Sequence, residues 1–339
     1  MRRRGIYTLA NDAVFDQLVA LVNSIEENIS FDIPICIIPY NQQIERVSAF
    51  ISQRPNCSLF ENERSLIAWD TFINAVWPAH PRSAQPKYTH PNWYKGFVHR
   101  KFAAFDGPFD QFIFFDADSL AMKSCDDVWE RLEEVDLVFD DWEHAKRGEQ
   151  TEVHLNNIQR STRLELDEIY PQIHCDSFFG SHKGLISAAS LPLLLRLFVE
   201  EGYIHWVRDR SWWSTSALFS CITLLSKCSL FNFTRSSNWL ERTGNCADAD
   251  PFVKFNHVLY NADGGKPIRR IHYMNYASAD FARLCRGESV DIRYRDIFLH
   301  YRFLSQPEQQ PKEFFSPDSL LQLTRRLQKL GSSVQKLNR

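Results

Sequence analysis

Several things are missing from this chain, and each absence narrows what it can be. Eight cysteines are spread over 339 residues, yet no Cys-x-x-Cys pair occurs. That argues against a structural zinc site. Cys36 lies in an apolar strand-like run and Cys221 in an apolar helix-like one, so both read as reduced core residues of a cytosolic protein. No basic excess is present: 39 Lys and Arg against 42 Asp and Glu give a net charge of −3. Nothing in the bulk charge therefore points to nucleic acid. No uninterrupted apolar run approaches a membrane span. Met1-Arg2-Arg3-Arg4 has the charge of a signal-peptide start, but only Gly5 to Ala10 follow before Asn11 and Asp12, too short for an h-region. The expectation is a cytoplasmic chain, with the sequons at Asn28, Asn56 and Asn232 idle.

What is present is ordinary globular composition, 44% hydrophobic and 24% charged. The length suits one large domain with extensions or two small ones. Aromatic residues are plentiful at 14%, and although their faces suit sugar stacking, most are expected in the core. The chain opens as strand, helix, strand: Gly5 to Ala10, a helix capped at Asn11 or Asp12 with Val14, Leu18, Leu21, Val22 and Ile25 on one face, then Ile33 to Ile38. This is a βαβ unit, which implies a parallel pair with a right-handed crossover. A second helix is expected over about Gln42 to Ser52.

The organising stretch is Gln111-Phe112-Ile113-Phe114-Phe115-Asp116-Ala117-Asp118-Ser119-Leu120. An uncharged aromatic run ends in two carboxylates one residue apart. The run reads as a strand buried on both faces. In open α/β sheets the ligand site lies beyond the carboxyl ends of the strands. Residues i and i+2 of an extended chain point the same way, so Asp116 and Asp118 can reach one hard cation. A divalent ion there can neutralise a departing nucleoside diphosphate. The same triplet recurs at Asp248-Ala249-Asp250, but after Gly244-Asn245-Cys246-Ala247, which is turn chemistry, and it reads as a solvated turn.

Other stretches take their places around this one. His99-Arg100-Lys101 begins a short basic helix ahead of the central strand, where a cation would complement a diphosphate or form a surface ion pair. Residues 78–95, with four prolines and His80, His90, Trp93 and Tyr94, read as a long loop that is either a structured connection or an acceptor-side lid. Asp126 to Leu132 is a capped helix, Val135 to Phe139 a strand ending in Asp140-Asp141, and residues 144–168 a polar insertion. Cys175 to Gly180 resumes strand character, Leu191 to Val199 is helical, and Trp212 to Leu225 opens into a mostly apolar helix. Residues 234–251 are loop-like. Gly264 to Tyr273 is a turn and a short strand that places His272 at its end; His272 can complete the coordination of Asp116 and Asp118, with His300 as its rival. From Pro317 on, Leu320, Leu323, Leu327, Leu330, Val334 and Leu337 stripe a basic amphipathic helix. It either docks on its own core, pairs with a partner helix, or lies on an anionic membrane surface.

Taken together, Tyr7-Thr8-Leu9-Ala10-Asn11-Asp12-Ala13, Arg100-Lys101, Phe114-Phe115-Asp116-Ala117-Asp118-Ser119-Leu120 and Asp126-Asp127-Val128-Trp129 resemble the GT-A glycosyltransferases. The likeness is to the glycogenin-like and bacterial lipopolysaccharide glycosyltransferase group, over about the first 140 residues. It implies an α/β fold of the GT-A (Rossmann-like) kind, a mixed, mostly parallel sheet flanked by helices. The domain would span residues 1–305, followed by a helical tail, 306–339. It further implies a nucleotide-sugar donor, a UDP-sugar, and Mn²⁺ or Mg²⁺ as cofactor. By the same likeness Thr8, Leu9 and Asn11 would touch the nucleotide and Lys101 would lie near the donor. Asp116 and Asp118 would be the Asp-x-Asp metal pair and His272 the third metal ligand. Asp176 and Asp209 fall where the family places sugar and acceptor contacts, and are the candidate catalytic residues. The glycine and Lys-Pro-Trp that follow the family's histidine are absent; Ala277-Ser278-Ala279 stands there, and Lys266-Pro267 precedes the histidine. The acceptor, whether carbohydrate, lipid-linked or protein, carries no readable code. The stereochemical outcome is open on the residues, and the resemblance leans to retention.

Two rival readings remain at this level. A haloacid-dehalogenase-like, Mg²⁺-dependent phosphatase also uses two aspartates one residue apart, and Asp140-Asp141 mimics its late acidic pair. A GT-A fold could also bind a sugar nucleotide or glycan without transferring it.

Overall fold

The computed structural model describes residues 2–85, 96–141, 151–211, 213–262 and 265–316. The proline-rich stretch 86–95, residues 144–150 of the expected insertion, and the leucine-striped tail 317–339 lie outside these residues.

The opening unit forms as its pattern dictates. Strand β1 (Arg4–Ala10) runs into a short 3-10 turn whose N-cap is Asn11, accepting from Ala13 N at 3.1 Å, and then into helix α1 (Phe15–Asn28). Leu18, Leu21, Val22 and Ile25 are fully buried, the expected face of α1. Strand β2 (Ile35–Pro39) pairs parallel with β1. Helix α2 (Glu45–Ile51) is shorter than expected and leads to a brief strand, β3 (Cys57–Leu59), parallel to β2. Helix α3 (Glu63–Ala79) then crosses back, Pro78 falling in its last turn.

Strand β4 (Gln111–Asp116) enters on the other side of β1, parallel to it, with Leu9 opposite Asp116. Phe112 and Phe114 join one apolar cluster and Ile113 and Phe115 another, all four fully buried. That alternation is what a strand covered on both faces requires. Each such side chain contributes about 1.5–3 kcal/mol of burial. Just upstream, a Cβ on Gly107 would lie 2.0 Å from the Tyr7 hydroxyl, so only glycine lets the chain pass there.

The sheet is completed from distant segments. After β5 (Ser119–Ala121), strand β6 (Leu137–Phe139) and strand β7 (Phe178–His182) follow, and β8 (Leu230–Asn232) closes the order β3-β2-β1-β4-β7-β6-β8. Strand β7 is antiparallel to both of its neighbours, and β8 is parallel to β6. The seven-stranded sheet is therefore mixed and mostly parallel, flanked by helices, as expected. The segment 155–169 that was read as polar insertion holds two short helices, Leu155–Thr162 and Leu166–Ile169. The helix expected to Val199 is α-helical only over Leu191–Leu195 and widens into a π turn beyond it.

A two-stranded hairpin, β9 (Phe252–Phe255) and β10 (Val258–Asn261), turns through Asn256 and His257, both with positive φ. Strand β11 (Arg270–His272) pairs antiparallel with β5, opposing His272 to Ser119. A third apolar cluster (Leu120, Ile271, Tyr273, Phe281, Phe298 and Tyr301 among its members) covers this ladder. Residues 306–316 return along it, Phe315 bridging to Glu288. All eight cysteines are free. Among the described residues no helix is long and apolar enough to cross a membrane.

Candidate active site

Strand β4 ends in Asp116, and one further residue brings Asp118 to the same edge of the sheet. Strand β11, held against β5, delivers His272 to them. One ligand atom from each of Asp116, Asp118 and His272 lies within 4.8 Å of the others. His272 Nε2 is 3.2 Å from Asp118 Oδ1, and His272 Nδ1 is buried without a partner. Two carboxylates and an imidazole form a donor set that suits a hard divalent ion such as Mn²⁺ or Mg²⁺. The rival histidine, His300, lies instead in the helix Arg295–Arg302, its ring stacked 3.8 Å from that of His257.

Lys101 comes from the 3-10 segment Val98–Asp106 and is fully buried, so it is no surface ion pair. Its Nζ donates to Asp116 Oδ1 at 2.8 Å and to the Asp176 carbonyl at 3.3 Å, and lies 3.4 Å from Asp176 Oδ2. Asp176 just precedes β7; because β7 is reversed, its start meets the end of β4, where Asp116 N donates to Ser177 O at 2.9 Å. Ser216, in the helix Thr215–Leu225, donates to Asp176 Oδ1 at 2.6 Å.

Burial dominates the electrostatics here. It pushes Asp116 above the usual carboxylate range; Lys101 opposes this, while Asp118 and Asp176 add repulsion. Burial also acts against Asp118, but His272 outweighs it and holds Asp118 low. For Asp176 the same penalty is overcome by Lys101 and Ser216, and the carboxyl is held low. Burial alone would discharge Lys101; Asp116 and Asp176 reverse that and keep it charged.

Asp116 and Asp118 open onto a cleft of about 800 Å³ whose walls include Leu9, Gln17, Tyr40, Val98, Asn275 and Tyr276. Leu9 thus lines the same cleft as the two carboxylates. Thr8 is wholly buried, with its hydroxyl unpartnered. Asn11 serves as the cap described above, and its amide reaches Asn41 at 3.3 Å. Asp209 is exposed in the turn Asp209–Ser211, and no hydrogen bond or ion pair joins it to Asp116, Asp118 or Asp176. Sequence reasoning missed Gln17, Tyr40 and Ser216. Gln17 left a signal: it stands three residues after Val14 and four before Leu21, a polar residue on an apolar helical face, and its Oε1 is buried without a partner.

Asp140 and Asp141 are otherwise engaged. Arg269 Nη1 is 3.3 Å from Asp140 Oδ1 and its Nη2 is 2.7 Å from Asp127. Asp141 accepts from Cys175 N at 2.7 Å and from Asn232 at 3.0 Å. The pair does not join the metal-type cluster, which removes one of the two features that favoured a phosphatase. Arg270 is fully buried beside it, donating to Asp140 O at 2.8 Å and to Ser177 at 3.0 Å.

No protein-family model and no curated protein matches the sequence. Among solved structures, the chain is similar to the WbbM bifunctional glycosyltransferase, with 12% identity and a TM-score of 0.48, over 91% of this chain and 52% of that one. It thus spans about half the length of that protein. It is also similar to the galactosyltransferase LgtC solved with donor and acceptor sugar analogs, with 10% identity and a TM-score of 0.45, over 86% of this chain and 99% of that one. Mouse xyloside xylosyltransferase 1 in its apo form is similar over 68% of this chain and 84% of that one, with 9% identity and a TM-score of 0.38.

Proposed function

We propose that this protein is a metal-dependent glycosyltransferase of the GT-A kind that takes a UDP-sugar. The observation that carries the reading is the meeting of Asp116, Asp118 and His272 at the carboxyl edge of the sheet, beside a cleft of about 800 Å³. A divalent ion held by those three residues would act as a Lewis acid on the diphosphate of the donor. Asp116 and Asp118 would orient the diphosphate end of the cleft, and Leu9, Tyr40 and Val98 would face the nucleoside. Lys101 supplies a fixed, buried positive charge next to Asp116, where leaving-group charge develops. Asp176, oriented by Ser216 and Lys101, is the carboxylate assigned to the sugar, with Asp209 on the outer, acceptor side. Retention of configuration belongs to this reading through the resemblance of the N-terminal segment.

The test is the thermal stability of the protein with UDP and with UDP-sugars, each with and without Mn²⁺. The expected outcome is a rise in Tm that needs both nucleotide and metal and vanishes in Asp116→Asn. A shift of equal size without metal, or in the variant, would overturn the reading. Hydrolysis or transfer of the bound UDP-sugar then separates an enzyme from a binding protein.

A further inference from the structure

A second cleft, of about 530 Å³, opens between residues 239–245 and the β9–β10 hairpin. Trp239 stands at its rim with 66% of its surface exposed. Its backbone is held in place. It begins a 3-10 turn, Trp239–Glu241, capped by Asn238, which accepts from Leu240 N at 3.1 Å. Lys266 donates to the carbonyls of Leu240 and Trp239. The next residues are pinned as well: Asn261 accepts from Gly244 N at 3.1 Å and donates to Arg242 O at 3.2 Å. An exposed indole on a backbone held this way offers a flat apolar face to a ligand in the cleft.

The polar groups of the wall indicate what would cover that face. Thr243 and Asn245 both line the cleft and are more than nine-tenths buried, and Thr243 Oγ1 and Asn245 Oδ1 have no hydrogen-bond partner. Asp250 adds a carboxylate. The cations of the wall are engaged by backbone carbonyls, Lys266 by Leu240 and Trp239 and Arg242 Nε by Ser236, and the Asp250 carboxylate, which accepts from Asn245 N and Cys246 N, sets a negative charge among them. A flat aromatic face beside hydroxyl, amide and carboxylate groups matches a neutral polyhydroxylated ring. We infer that this cleft is a carbohydrate-binding subsite, separate from the cleft at Asp116 and Asp118, in which one pyranose of an oligosaccharide packs against Trp239.

The wall of this cleft touches the other site through backbone. Asn245 O accepts from His272 N at 2.7 Å, and Ala247 N donates to His272 O at 3.0 Å. The wall residue Asn245 is therefore paired directly with the backbone of the proposed metal ligand. The identity of a glycan at Trp239 as acceptor rests on the glycosyltransferase reading; its binding does not.

Isothermal titration of the full chain with maltotetraose, cellotetraose and lacto-N-tetraose tests the inference. At least one tetrasaccharide is expected to bind, and Trp239→Ala to weaken it by about tenfold or more. Thr243→Val is expected to weaken it less. The stabilisation by UDP with Mn²⁺ should be the same in both variants and the parent, which also shows that they fold. Binding of none of the three sugars, unchanged affinity in Trp239→Ala, or competition by inorganic phosphate would overturn the subsite. Failure of the glycosyltransferase reading would look different: no UDP–Mn²⁺ stabilisation in the parent protein, with tetrasaccharide binding and its loss in Trp239→Ala intact.

Discussion

The tripeptide Asp-Ala-Asp occurs twice, at 116–118 and at 248–250, and the two copies have opposite fates. The first follows a strand buried on both faces, which projects its carboxylates over the sheet edge towards His272 and Lys101. The second sits in a tight turn. Asp250 Oδ2 accepts from the backbone of Asn245 at 2.8 Å and of Cys246 at 2.9 Å, while Asp248 is exposed and bonds Cys246 and Asn275. Carboxylates that serve the local backbone are already satisfied. At the sheet edge Asp116 is pushed up by burial and by its acidic neighbours, and a cation beside it would relieve that.

The contrast can be broken most directly at the metal. Asp118→Asn is expected to lower Mn²⁺ affinity by at least about a hundredfold, beyond the effect usual for outer-shell changes, whereas Asp250→Asn leaves it unchanged. Mn²⁺ titration followed by electron paramagnetic resonance reads both, and equal losses would erase the distinction. Lys101→Met strands Asp116 and Asp176 without their buried partner and is expected to cost about 3–5 kcal/mol in urea unfolding. Mn²⁺ should restore part of that; if metal stabilises the variant no more than the parent, Lys101 and the ion do not share one charge site.

Acid sharpens the same comparison. His174, two residues before Asp176, is wholly buried against Phe139, and burial pushes its pKa down to about 3. The folded state therefore keeps this imidazole neutral. Its stabilising contribution is complete above the ordinary value of about 6.5 and is lost as pH falls towards 3. His174→Gln should flatten the stability–pH curve between those limits, as followed by unfolding at each pH; an unchanged slope would acquit His174. The smallest effects belong to the second triplet. Asp250→Ala removes two caps and should cost about 1–2 kcal/mol, and Asp248→Asn should stay within about 0.5 kcal/mol, both read as denaturant midpoints.

The legible parts of the molecule were those with a short-range pattern. The aromatic run of β4 and the spacing on α1 declared strand and helix because burial imposes periods of 2 and 3.6. The direction of β7 was hidden, since alternation reports faces and not polarity, so the arrival of Asp176 beside Asp116 could only be suspected. The placement of Asp116 and Asp118 at a strand end was readable from the run before them. The choice of His272 over His300 was not, because it depends on a ladder between residues about 150 apart. Arg269 and Arg270 sat in a segment read as turn and strand, yet both are buried and bonded to partners 142 and 130 positions away, respectively. Asp209 was suggested by its region alone, and its exposed turn gives it no tie to the cluster.

The ladder between Ser119–Ala121 and Arg270–His272 also governs when the site can exist. The parallel core around β1, β2 and β4 is complete by residue 116, and a chain emerging from the ribosome can begin to assemble it early. His272 arrives more than 150 residues later and must close a loop of that length, an entropic cost offset by the third apolar cluster that packs around the ladder. Two carboxylates without their histidine make a loose trap for any passing cation. A half-made chain therefore carries the acidic edge before the histidine that completes the Asp116–Asp118–His272 cluster.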